Sequence, residues 1–180
     1  MLPRGLLREP LASLRRAGVF VVTKTNLHPD IGKLRAQLVR LNPDALVFES
    51  AHVPRDIYFL GNPEQSFACS LLSNAHVALV SGIGDPQSFA GIVGALGAHV
   101  MYEFVFADHH QFGLADIAGI ARVLKEKNID TVLTTEKDAV RLANLAQGVL
   151  PGRWMVLRIK LKVTTREEEF CSRLRSVCSV

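Results

Sequence analysis

Three short polar clusters carry the residue types for proton or phosphate chemistry. They are Gly82-Ile83-Gly84-Asp85, Asp108-His109-His110 and Thr134-Thr135-Glu136-Lys137-Asp138. The middle one sets a carboxylate beside two imidazoles. Histidine titrates near neutral pH, so such a group can bind phosphate, ligate a metal or orient a general base. The competing reading is a polar loop whose Asp108 caps a turn. In the first cluster, glycines would let a ligand approach the backbone, and amides at a following helix start favour anions. Asp85-Pro86 reads equally well as a helix N-cap followed by a first-turn proline. In the third, Thr135 and Asp138 have capping-box spacing, and Glu136 and Asp138 suit the first turn of a helix. Lys137 does not, because a cation there opposes the helix dipole. None of the 180 residues forms a G-x-x-x-x-G-K-[ST] phosphate loop.

The hydrophobic pattern around these clusters alternates between strand and helix. Strands are expected at 18–23, 45–50, 76–80, 98–106, 131–133 and 154–159, with a short edge strand at 57–60. Helices are expected at 30–41, 64–72, 86–96, 114–125, 136–145 and 166–177, the first capped by Asp30 and stopped by Pro43. Helix 30–41 would bury Ile31, Leu34, Leu38 and Leu41. Helix 114–125 would bury Leu114, Ile117, Ala121 and Leu124. This alternation predicts a three-layer α/β/α sandwich around a mainly parallel, Rossmann-like sheet. All three clusters then fall at C-terminal strand ends, where open α/β sheets bind ligands. Residues 1–16, with Pro and Gly punctuation and a basic stretch, read as a connection from an upstream element. Residues 17–160 form the α/β domain, and 161–180 a C-terminal tail or helix.

Composition narrows the function classes. Hydrophobic residues make up 48% of the chain, enough for a packed core, so disorder is excluded. The net charge of +4 is concentrated at the two ends, which suits solvated basic ends or an anionic partner such as phosphate or a lipid headgroup. Basic residues are not interleaved with aromatics, which argues against nucleic acid. Cys69, Cys171 and Cys178 form no C-x-x-C pair, consistent with a reducing cytoplasm, and Cys69 in FACSLL reads as core. No secretory signal or convincing membrane span is visible, so the expectation is a soluble protein or one attached only at a membrane surface.

Four strings occur in order: PRGLLREPLASLRRA, VSGIGDPQSF, FADHHQF and LTTEKDAVRL. Together they resemble the C-terminal half of the tetraacyldisaccharide 4′-kinase (lipid A 4′-kinase) family of Gram-negative bacteria. The resemblance covers residues 1 to about 160, and its specificity lies in the order of strings that are individually weak. It implies a phosphotransferase that moves the γ-phosphate of ATP, with Mg²⁺, to the 4′-hydroxyl of a tetraacyldisaccharide 1-phosphate. It implies a two-domain phosphate-loop protein, peripheral at the cytoplasmic face of the inner membrane. The family's N-terminal domain carries the phosphate loop, the metal-binding carboxylates and the membrane-associating helix. The strings here match the half C-terminal to that domain. The expectation is therefore a chain that binds neither ATP nor Mg²⁺ alone, is inactive alone, and has that domain, the lipid A disaccharide precursor and an anionic membrane surface as partners.

Residue by residue, the resemblance gives His109 a catalytic role, pairing with a carboxylate of the N-terminal domain that takes the sugar hydroxyl's proton. Asp108 and His110 match the same string. Arg8 and Glu9 match its LREP string at the domain junction, where Arg8 could contact phosphate. Glu136, Lys137 and Asp138 match a string that could face the interdomain cleft. Gly113 departs from the family's Thr or Ser before the next helix, which weakens that cap. Two alternatives stay open beside the kinase. One is a stand-alone Rossmann-like module that binds an anionic sugar or nucleotide. The other is a small metal-dependent hydrolase using Asp108, His109 and His110.

Overall fold

The computed structural model describes residues 9–27, 30–143, 145 and 150–178. Arg8 lies outside them. The chain divides into two compact units, one of residues up to 52 together with 161 onward, the other of residues 53–160.

In the first unit a 3-10 turn (Leu11–Arg16) leads into β1 (Val19–Val22), which pairs in parallel with the start of β2 (Leu46–Phe59). Helix α1 (Gly32–Leu41) begins at Ile31 without a side-chain cap, so Asp30 does not cap it. Of the four residues expected on its buried face, only Leu38 is buried in the helix, and Leu34 is exposed. Phe20, Leu38, Ala45 and Val47 form this unit's core. Asn42 fastens it, donating to the carbonyls of Arg15 and Ala17 at 3.0 and 2.9 Å. Helix α5 (Glu167–Cys178) lays Phe170 edge-on against Phe48, ring centroids 5.1 Å apart.

The second unit holds the end of β2, β3 (Ser66–Phe67), β4 (His76–Ser81), α2 (Pro86–Ala95), β5 (His99–Val105), α3 (Leu114–Lys127), β6 (Thr131–Thr135), α4 (Glu136–Ala143) and most of β7 (Arg153–Val163). Its strand order is β2-β7-β6-β4-β5, with β3 on β2. Strands β7, β6, β4 and β5 are mutually parallel. Residue 60 bonds to 154 while 49 bonds to 164, so β2 runs against β7. The sheet is mixed and mostly parallel, as expected.

Burial alternates with side-chain direction along β4. Val77 and Leu79 pack with Phe89, Ile92 and Val93 of α2. Ala78 and Val80 pack with Ile117, Ile120 and Leu124 of α3 and Leu142 of α4. A strand apolar on both faces needs a helix layer on each, which makes this unit three-layered. The buried stripe of α3 runs through Ile120 rather than Leu114, which is exposed.

Two sequence expectations fail here for tertiary reasons. The strands expected at 45–50 and 57–60 are one 14-residue strand, β2. Pro54 lies within it, its fixed φ compatible with extended backbone. The helix expected at 64–72 is instead β3 followed by a 3-10 turn (Cys69–Leu72). Phe67 packs edge-on against Phe59 at 5.3 Å and Leu72 is fully buried, contacts that an α-helix there would not make. Cys69 is only partly buried, packed against the core, and burial raises its thiol pKa.

Candidate functional site at the C-terminal strand ends

Neighbouring parallel strands deliver their C-terminal ends to one edge, so β5, β4 and β6 bring the three polar clusters together. Gly82, after β4, lies in the middle. A side chain there would meet the carbonyl of Ala107 at 3.2 Å, and Asp138 Oδ1 and His110 Cβ at 3.3 Å. Glycine is required by close packing between the other two clusters rather than by a ligand.

Asp138 is fully buried. Its Oδ2 accepts from the Gly82 N–H at 3.1 Å and from the Thr135 hydroxyl at 2.7 Å. Its Oδ1 accepts from Arg141 Nη1 at 3.0 Å. A carboxylate without water needs this full set of donors. The Asp138 N–H in turn donates to Thr135 Oγ1 at 3.2 Å, so the expected cap exists. Its carboxylate reaches out to the β4 turn and does not close back on the helix as a capping box would. Arg141, one turn along α4, also donates to the Gly82 carbonyl at 3.1 Å, with His110 O farther away at 3.5 Å. Sequence reading missed Arg141. The signal available was its (i, i+3) spacing from Asp138.

Two of the amides at this edge are engaged within the fold. Gly82 N–H goes to Asp138, and Asp85 caps α2 by accepting from the Ser88 N–H at 3.1 Å. The Gly82–Asp85 turn is therefore a structural junction. No three His, Cys, Asp or Glu side chains among the described residues come together as a metal would need. The hydrolase alternative has no such ligand set among the described residues.

The two histidines diverge. His110 Nε2 lies 3.0 Å from Asp116 Oδ2, and its ring stacks on Phe106 and meets Phe112 edge-on. Asp116 also accepts from the Gly113 N–H at 2.8 Å, the half of a capping box that needs no side chain at the N-cap. The His110 hydrogen bond, then the Gly113 N–H, hold the Asp116 pKa below its ordinary value. His109 is 79% exposed, its Nε2 3.8 Å from Asp108 Oδ2. Its φ of +62° is the left-handed conformation, uncommon for a residue with a Cβ. The peptide is fixed, because the His109 N–H donates to Gly82 O at 3.1 Å. An exposed imidazole on a fixed peptide can hold or pass a proton to a group brought to it.

The other expected residues separate from this group. Glu136 faces Arg158 at 3.6 Å. Arg158 also bonds Asp56 at 3.2 Å and lies over the Tyr58 ring at 4.2 Å. Burial and then the charge of Glu136 raise the Tyr58 pKa. Lys137 is exposed. Glu9, in the other unit, pairs with Arg16.

A parallel α/β unit with an acid–imidazole pair at its strand ends defines a class of Rossmann-like domains, not one chemistry. Comparison with known proteins narrows it. The family described as tetraacyldisaccharide-1-P 4′-kinase matches residues 1–179, and the chain belongs to that family. A tetraacyldisaccharide 4′-kinase of Syntrophobacter fumaroxidans is 35% identical over 150 residues, covering 83% of this chain and 39% of the relative. One of Anaeromyxobacter sp. (strain Fw109-5) is 35% identical over 176 residues, covering 97% and 46%. This chain thus spans less than half the length of these relatives. The crystal structure of the Aquifex aeolicus kinase LpxK, "apo" form in complex with ATP, superposes with a TM-score of 0.62 at 24% identity, covering 98% of this chain and 48% of that one. At that identity the likeness speaks for the fold.

Proposed function

We propose that this chain works as the C-terminal half of a lipid A 4′-kinase and presents His109 to a nucleotide-binding half. The complete enzyme transfers the γ-phosphate of ATP to the 4′-hydroxyl of tetraacyldisaccharide 1-phosphate. Phosphoryl transfer rests on positioning and on neutralising phosphate charge. In this reading both tasks fall to the other half. His109 would orient and tune a carboxylate there that accepts the sugar hydroxyl's proton. Asp108, 3.8 Å away, would bias the imidazole's orientation. One observation carries this role: His109 is exposed at the strand ends while its own peptide is fixed.

Radiolabelled ATP and the tetraacyl substrate test the reading. The isolated chain is expected to transfer no phosphate, and adding the phosphate-loop half of a relative should restore transfer. Transfer by the chain alone above a heat-killed control overturns the division of labour.

Attachment to the anionic inner-membrane surface belongs to the same proposal. Lys160 and Lys162 are exposed on β7, whereas Arg158 is neutralised by Asp56 and Glu136 and adds nothing. Each available cation contributes about 1 kcal/mol near such a surface. Co-sedimentation with anionic vesicles should therefore fall as salt rises. Equal binding to neutral vesicles would remove the electrostatic cause. Among the described residues no helix is long and apolar enough to cross a membrane.

A further inference from the structure

We infer that Asp138 and Arg141 are positioning residues for His109, acting through the peptide of Gly82. The connection is a short chain of named bonds. Asp138 Oδ2 accepts from the Gly82 N–H, and Arg141 Nη1 donates to the Gly82 carbonyl. Arg141 and Asp138 also bond each other at 3.0 Å, so both polar groups at Gly82 are gripped from one helix turn. The Gly82 carbonyl is then the acceptor for the His109 N–H at 3.1 Å. The turn in which His109 adopts φ +62° is closed by the His110 N–H donating to the Ala107 carbonyl at 3.0 Å, and the His109 N–H ties that turn to Gly82. A non-glycine residue persists in this conformation only where its surroundings determine it. The surroundings here are that turn bond and the held Gly82 carbonyl. The 3.8 Å contact between the His109 side chain and the exposed Asp108 does not fix the backbone.

The grip is rigid for two reasons. Asp138 has no access to water, so its bonds face no competition from solvent. Gly82 is closely packed, with Ala107, His110 and Asp138 all within 3.3 Å of where its Cβ would stand. The direction of His109 toward solvent is thus set from α4, a helix that carries no part of the Asp108-His109-His110 loop. The importance of this positioning for phosphate transfer rests on the kinase reading above. The positioning itself does not.

Nuclear magnetic resonance of the 180-residue chain tests it with two variants. Arg141→Lys keeps a cation beside Asp138 on a shorter, flexible stem, so it does not hold one nitrogen against both the carboxylate and the Gly82 carbonyl as Nη1 does. Thr135→Val removes a bond to Asp138 and leaves Arg141 in place. Both are first checked for a cooperative melt. In wild type the His109 amide should be protected from exchange, with a three-bond coupling that reports positive φ. Arg141→Lys should lower that protection about tenfold, the weight of one lost hydrogen bond, and move the coupling toward an averaged value. Thr135→Val should do the same to a lesser degree. Unchanged His109 protection and coupling in folded Arg141→Lys overturns the inference. The kinase reading is tested separately, from turnover against substrate KM when the Arg141→Lys chain is combined with the phosphate-loop half. Turnover should fall with KM little changed. Unchanged turnover beside a loosened His109 overturns the catalytic role of His109 and leaves its positioning standing.

Discussion

His109 and His110 are adjacent in sequence and opposite in physical circumstance. His110 is 28% exposed, clamped between Phe106 and Phe112 and bonded to Asp116. His109 is displayed to solvent, and its carboxylate partner Asp108 is 3.8 Å away. One imidazole is part of the fold and the other is displayed by it. A strand-end loop can therefore hold its backbone with one histidine and leave the next open to chemistry. The residues behind the loop extend the same contrast, since Asp138 is buried and Arg141 mostly covered where Asp108 is open.

The largest effect expected on this contrast comes from the buried side. Arg141→Ala leaves the buried Asp138 without its cation. Breaking such a pair from one side costs about 3–5 kcal/mol. Chemical denaturation should show that loss, or an unfolded chain. A cost below about 1 kcal/mol, the range of exposed pairs, would place Asp138 and Arg141 with the displayed region instead.

His110→Ala should cost less, about 1–3 kcal/mol, from two ring contacts and one charge-assisted hydrogen bond. It also carries a pH signature. The folded-state pKa of Asp116 is depressed, first by the His110 bond and second by the Gly113 N–H. A depressed carboxylate stabilises the fold above its unfolded pKa of about 3.9, and that stability is lost as pH falls through the lower folded value. In His110→Ala only the Gly113 bond remains, so the acid-induced loss should begin at the same pH, set by the unfolded carboxylate, end at a higher pH and be smaller overall. Melts between neutral and strongly acidic pH compare the two proteins. Identical acid profiles would detach Asp116 from His110.

The parts of this arrangement that sequence made legible are the parts with local signals. Period-two and period-3.6 patterns located most strands and helices of the second unit. The rule that ligands gather at C-terminal strand ends then grouped Gly82, Asp108–His110 and Thr135–Asp138 correctly. The reach of Asp138 was not legible, because capping-box spacing already accounted for it and nothing local announces a bond to a glycine 56 residues away. Arg158 is similar. It read as one of several terminal cations, and only pairing with Asp56, 102 residues distant, takes it out of that set. The helix expected at 64–72 fails for the same reason in reverse, since its apolar residues answer to Phe59 and the core rather than to a helical face. His109 and His110 could not be told apart from a dipeptide. Their difference lies in φ and in which ring meets Phe106.

The smallest stability effects belong to His109 itself. His109→Ala keeps the backbone bond to Gly82 and removes only an exposed ring, so it should change stability by no more than about 0.5 kcal/mol. His109→Gly is the sharper variant. Left-handed backbone costs a residue with a Cβ about 1–2 kcal/mol, and glycine escapes that while losing about 0.5–1 kcal/mol more entropy on folding. The net is a stability equal to wild type or raised by up to about 1.5 kcal/mol. Either variant combined with the phosphate-loop half should lower turnover by about 10²–10⁴, as for other lost acid–base groups, with KM less affected. A residue whose replacement by glycine leaves the fold as stable or more so, yet stops turnover, is retained for its ring and not for its backbone. Strong destabilisation by both variants with turnover preserved would move His109 to the buried side of the comparison, beside His110.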